Sequence, residues 1–517
     1  MAPRTLRALV ILTSALACDA ASVGTKLTVV HVDDAPGRRA AARGLVVDFF
    51  VDGAQGSDSN PGTATEPWKT IAFAAERAAS VAREHGASPI TVNVAASVYT
   101  EPLFFGPSQS GTASARITFR GATGAVISGG LTIPKAALRP SATGPPGLLT
   151  VDLVALGVNT SELGSLAPGT LGECSGDQME LVEDGSVLTL ARWPNANISG
   201  STRSSDGYPD FNTWSNIRRV WGSGDGGVAQ AFTLLPNDPT PPSCPEMPKG
   251  TCPPMGPVPT ALQLQAWASE PSVWFHGFWK NDWGDSYVRA ASIDARSGRV
   301  NIDRDTPPCF PAAVHARVMV VNALSELDQA GEYYISPTGV LSLIPSGRAS
   351  STQSNYVLTF RSATQCVLCT LDASYLSFEN FEIGYSRGTP ISVVNGSYLS
   401  FKNVTVRASG GHGITLQGGT NCEVVDSRIF GTACRALDVS GGSTTRLTPG
   451  NHSIRGNLIH SYARIHRTYN PGIAWGGVGN HFVRNTIRDA PHAAILGGGV
   501  RHHLNRFPCL GLASLFH

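Results

Sequence analysis

The chain has 517 residues, 39 Lys+Arg against 38 Asp+Glu and a net charge of +1, with charged residues at only 15%. Balanced charge excludes a general nucleic-acid binder, which carries a basic excess, and a 42% hydrophobic content excludes wholesale disorder. Glycine is abundant, at 56 residues, without a collagen period.

In chain order, Arg4 and Arg7 precede a short apolar run, Ala8 to Ala17, followed by small residues. This pattern predicts a secretory signal peptide over 1–21, a leader over 22–48 and an extracellular protein. No later apolar run is long enough to span a membrane. Secretion permits disulfides, and nine cysteines remain after Cys18, so at least one thiol is left over. Cys244–Cys252 is the first pair expected. Cys366 and Cys369 lack a second half for a zinc site and read as a disulfide or buried thiols. N-x-S/T sequons stand at Asn159, Asn197, Asn395, Asn403 and Asn451.

From Phe49, a strand runs into the loop Gly56-Ser-Asp-Ser-Asn-Pro-Gly62, and Thr70 caps a predicted helix from Ile71 to about Arg83. Strand-like runs follow at Ile90–Val94, Ile117–Phe119 and Ala125–Ile127. Residues 131–355 are rich in Pro, Trp and turn signals, without helical periodicity, and predict a mostly-β insertion. Beyond about Ser374 the chain repeats: YLSFENFEI, YLSFKNVTV and CEVVDSRIF place Asn380, Asn403 and Asp426 at a 23-residue period. Between them, Ile391, Ile414, Leu437, Ile473 and Ile495 mark a second apolar column. A two-strand unit with Gly-rich turns predicts an all-β fold, a right-handed parallel β-helix (solenoid), over 49–130 and 356–499. The Asn/Asp column reads as a turn position whose amides stack. The tail, 500–517, continues neither the repeat nor a clear cap, which predicts an irregular end with coils missing.

These motifs resemble the secreted right-handed parallel β-helix, pectate-lyase-like superfamily. VDGAQGSDSNPGT…EPWKTI is similar to its N-terminal motif, with the short helix capping the first coil, although Ser97 stands where the family has Gly. Ala191–Asn195, Phe275–Val288 and Glu326–Pro345 look like the β-rich insertion of its carbohydrate-active members. The resemblance implies a polysaccharide partner and leaves lyases, glycoside hydrolases and non-catalytic proteins open.

Chemistry-bearing residues concentrate late. From residue 371 the charge is +6, against −5 for the rest. A basic solenoid face suits an acidic, uronate-containing glycan. The extra loop HSYARIHRTYNPG predicts a protruding segment carrying His460, Tyr462, Arg464, His466, Arg467 and Tyr469. Asp438 lies between inward Leu437 and Val439 and is the leading candidate acid; Asp489, near His492, is the next. The expected groove has Asp438, His466, Asp489 and His492 as catalytic groups and Arg435, Arg467 and Tyr469 as substrate contacts. Lys402, the sole repeat-region lysine, does not face the long loop. Gly411-His412-Gly413 resembles the GHG of polygalacturonases, but the accompanying NTD, paired Asp and RIK are missing, so it is set aside. No cofactor motif is present; calcium between an aspartate and a substrate carboxylate is the one ion admitted, without a ligand set. The expected protein is a monomeric glycan-cleaving enzyme or, alternatively, a glycan-binding matrix protein.

Overall fold

A computed structural model describes residues 47–85, 88–169, 172–174, 177–195, 214–222, 231–236, 256–347, 355–360, 366–500 and 503–505. The signal and leader segments, Cys244–Cys252, Asn197 and most of the tail lie outside them. No helix among the described residues is long and apolar enough to cross a membrane.

The helix α1, Ile71–His85, covers the start of a three-sheet solenoid. Ile71, Ala74, Ala78 and Ala82 form its buried stripe, and small side chains let it sit close over the first coil. Its N-terminus is capped as expected, with Thr70 Oγ1 accepting from Phe73 N at 3.2 Å. Asp58, in the loop that loosely resembles a calcium site, accepts instead from the backbone N–H groups of Lys69 and Thr70, both at 2.9 Å. Its carboxylate holds the helix start.

Each coil contributes one strand to each of three parallel sheets. In the first sheet, Ile117–Gly121 pairs directly with Leu376–Glu379, and then with Ser400–Lys402 and Glu423–Val425 in turn. The solenoid therefore resumes in register after the insertion, with Arg120 and Glu379 ion-paired at 3.0 Å across the join. The second sheet contains Glu382–Ser386, Thr405–Ser409, Arg428–Phe430 and Leu458–His460. The third contains Leu103–Phe105, Leu368–Leu371, Ile391–Val394, Ile414–Gln417, Leu437–Ser443, Ile473–Val478 and Ile495–Val500. Ile391, Ile414, Leu437, Ile473 and Ile495 are register partners, the column read from the 23-residue period. His503–Asn505 continues the first sheet beside His481–Val483, so part of the tail is regular where an irregular end is expected.

The core is a stack of like residues. Phe119, Phe378 and Phe401 stack with centroids 5.3 and 5.4 Å apart. Asn380, Asn403 and Asp426 all adopt a left-handed φ, between 50° and 63°, which short polar side chains tolerate. Asn403 Nδ2 donates to Asn380 Oδ1 at 2.8 Å, so the sequon residue belongs to this ladder. A deeper ladder carries the later coils: Ser427 N donates to Asn457 Oδ1 at 3.0 Å, and Asn457 N to Asn485 Oδ1 at 3.1 Å.

On the opposite turn, Cys422 N donates to His452 Nδ1 at 3.2 Å, while His452 Nε2 faces Gly418 O at 3.0 Å. These contacts require the neutral Nε2–H tautomer. Burial is the main cause holding the His452 pKa below its ordinary value. The unfolded chain takes up this proton first, near pH 6.5, so stability is expected to fall as pH drops below that value. His452→Asn repeats the Asn480 amide of the next coil without a titrating group. Its unfolding midpoint should therefore fall less steeply between about pH 7 and pH 5; equal slopes in wild type and variant would falsify the assignment.

The insertion leaves through Gly130–Ile133 and returns through Tyr356–Thr359, paired antiparallel as a neck. It contains a five-stranded and an eight-stranded sheet with their own buried clusters. It also contains a helix, α2 (Ala261–Ser269), where no helical period is evident. Only Leu264 and Trp267 are buried on it, too few to leave a periodic trace. The legible signal is local: Thr260 and Gln263 form a reciprocal capping box after Pro259.

Candidate active site

The insertion is fastened to the loops that lead into the third sheet. Cys174 and Cys434 form a disulfide across 260 positions, Arg387 pairs with Asp177 at 2.6 Å, and Arg464 grips Glu180 with bonds of 2.8 and 2.9 Å. Asp285, 5% exposed, accepts from His276 Nε2 at 2.8 Å, Arg467 N at 3.1 Å and Thr468 N at 2.9 Å. Acidic residues of the negative front thus meet basic residues of the positive back. Two arginines of the positive back, Arg387 and Arg464, are neutralised at this seam.

The same contacts correct the picture of the long loop. Tyr462 and His466 are buried, at 1% and 5% exposure, and Arg464 is ion-paired, so the segment is enclosed by the insertion. His466 meets the Tyr287 ring edge-on at 5.7 Å. Arg467 points its guanidinium over the Trp214 ring, 5.3 Å from the centroid, and so faces the insertion. Chain-local reading has no access to a surface supplied from nearly two hundred positions away.

Asp438 stands where alternation places it. Along the outward column its partners are Phe104, Cys369, Ser392, Thr415, Ala474 and Leu496. It is the only carboxylate in that column, with its side chain 22% exposed. Arg435 Nη1 donates to its Oδ2 at 2.7 Å, and Arg435 Nη2 reaches Gly172 O at 3.4 Å. The guanidinium holds the carboxylate in a charge-assisted ion pair at the mouth of its own coil. It also makes Arg435 first a partner of Asp438.

His412, set aside in the sequence, lies one coil before Arg435 and interacts electrostatically with Asp438, Arg435 and His466. Burial pushes its pKa down to about 4, against the opposing pull of Asp438, and its Nδ1 lacks a hydrogen-bond partner. With the sulfurs of Cys174 and Cys434 it forms the sole group of three metal-capable side chains among the described residues, all within 4.8 Å. Those sulfurs are bonded to each other, and calcium needs oxygen ligands, so the calcium expectation finds no ligand set here.

Tyr469 and His492 do come together, with centroids 5.2 Å apart. Trp283, 45% exposed, meets Tyr469 at 6.3 Å and Phe310 at 5.1 Å, extending this wall onto the insertion. Gly172, at φ +74°, packs against Tyr469 and bridges the wall to Arg435. Glu173 follows it, exposed, immediately before the disulfide-bonded Cys174. Asp489 does not join them. It occupies the left-handed bend after the second sheet, φ 53°, and ion-pairs with Arg488 beside His460. Its neighbour in sequence, His492, lies against Tyr469 instead, because the chain turns into the third sheet between them. The cysteine pair Cys366–Cys369 is a disulfide, and Cys309 and Cys422 are free.

The profile of the right-handed β-helix region family matches residues 346–459. The chain has the right-handed parallel β-helix fold. No curated protein sequence matches it. A solved structure described as a glycoside hydrolase aligns over 89% of this chain and 97% of its own, with a TM-score of 0.54 and 14% identity. A structure of XylC with xylose aligns over 88% and 64%, with a TM-score of 0.40 and 11% identity. Likeness at such identities is one of fold.

Proposed function

We propose that this β-helix protein hydrolyses glycosidic bonds outside the cell, in the cleft between its third sheet and the insertion. The observation carrying this reading is Asp438, the lone outward carboxylate of its column, held by Arg435 beside the buried, neutral His412. Glycoside hydrolysis needs two carboxyl groups in different protonation states. Asp438, paired with a cation, takes the ionised role. Glu173, exposed on the disulfide-tied loop between Gly172 and Cys174, is the carboxyl group assigned the proton-donating role. The wall of Trp283 and Tyr469 offers aromatic faces for a sugar ring. The glycoside hydrolase with the same overall fold is in keeping with this reading.

An acidic glycan cleaved by β-elimination is the second reading. It is favoured less because Arg387, Arg435 and Arg464 are paired with carboxylates, and Lys402 lies on the first sheet. Incubation with xylan, a β-glucan, pectate and alginate separates the two. New reducing ends from a neutral glycan, without ultraviolet absorbance from an unsaturated uronate, are expected. Unsaturated product from pectate or alginate would replace hydrolysis by elimination, and binding without any product would leave a glycan-binding monomer.

A further inference from the structure

A separate hollow lies within the insertion, between its two sheets and against residues 160–166 and 178–179. Its volume is about 290 Å3. Pockets that hold small ligands run from roughly 300 Å3 upward, so this one suits a mono- or disaccharide unit rather than a long chain. Trp274 and Tyr333 supply aromatic surface, and Thr160, Gln178, Ser272 and Asn322 supply hydroxyl and amide groups. The polar rim is held in place: Trp274 Nε1 faces Ser272 Oγ at 3.2 Å, and Asn322 Nδ2 donates to Ser272 O at 3.3 Å. Among the described residues no Asp, Glu, Lys, Arg or His lines it. Gln178 also lines the small hollow at the seam where Tyr287 and His466 meet.

We infer that this chamber is a second carbohydrate site, distinct from the Asp438 cleft, that binds a neutral saccharide. Aromatic surface with converging hydroxyls and amides fits a ligand having apolar C–H faces and many hydroxyls. A uronate carboxylate entering it would lose water without meeting a cation, a strongly unfavourable exchange. The site therefore selects uncharged sugars, whichever glycan the cleft cleaves.

Titration calorimetry with cellobiose, xylobiose and digalacturonate tests this on the full chain and on its Asp438→Asn variant. The expected result is binding of a neutral disaccharide at least ~10-fold tighter than digalacturonate, unchanged in Asp438→Asn. Thr160→Trp replaces an exposed residue at the chamber and should abolish that binding. Gln178→Ala should weaken it by roughly 5- to 10-fold, the share of one hydrogen bond. Circular dichroism establishes that both variants are folded. Neutral binding that disappears in Asp438→Asn, or persists unchanged in folded Thr160→Trp and Gln178→Ala, overturns the chamber, as does equal affinity for digalacturonate. Because the measurement is binding, an uncleaved glycan panel would sink the hydrolase reading and leave this one standing.

Discussion

Asp438→Asn is expected to lower kcat on the glycan that the wild type cleaves by ~10²- to 10⁴-fold, the range for removing one positioned acid–base group. The side chain is nearly isosteric, and its pair with Arg435 is partly exposed, so stability should change by less than about 1 kcal/mol. The amide also retains an oxygen toward the guanidinium, which stays within reach of Gly172 O. The expected signature is thus a loss of turnover in a protein of unchanged unfolding midpoint. Near-wild-type kcat in Asp438→Asn would remove Asp438 from the chemistry and, with it, the observation that carries the proposed function.

Asp285→Ala is expected to destabilise the protein by about 3–5 kcal/mol, because it strands several buried donors at about 1–3 kcal/mol each. Burial pushes the Asp285 pKa up, but hydrogen bonds from His276, Thr468 and the Arg467 backbone more than reverse this, leaving its carboxyl well below the usual range. The variant strands several donors: the His276 ring, the Arg467 and Thr468 amides, and the Thr468 hydroxyl. Burial holds His276 neutral, its pKa pushed down to about 4, so its ring is left as an unsatisfied neutral donor. Loss should concentrate where the insertion meets the long loop. Equilibrium denaturation measures the total, and amide exchange at Arg467 and Thr468 locates it. A cost under about 1 kcal/mol would show the contact to be incidental to docking.

The two variants probe features that differ in how legible they were. Asp438 follows from alternation alone, because its neighbours Leu437 and Val439 repeat the inward positions of every other coil. His412 is visible as a motif, yet its meaning depends on Arg435 one coil later and on a disulfide to the insertion. Asp285, Gly172 and Trp283 are ordinary residues of an irregular region; only packing brings them against the loop of His466 and Tyr469. Asp489 misleads for a related reason: near His492 in sequence, it sits on the far side of a bend.

The sequence by itself determines the solenoid. A 23-residue period, a column of Ile and Leu, and Asn or Asp at each left-handed bend are local rules repeated along the chain, and parallel stacking in register follows from the repetition. It also determines where the helix starts and where the insertion interrupts. Tertiary structure decides everything that depends on the insertion folding back. It pairs Arg387 with Asp177 and Arg464 with Glu180 and buries the long loop. Those contacts join residues some two hundred positions apart or more without any period to announce them. The contacts of the candidate site, unlike the scaffold, therefore exist only once both halves are folded together.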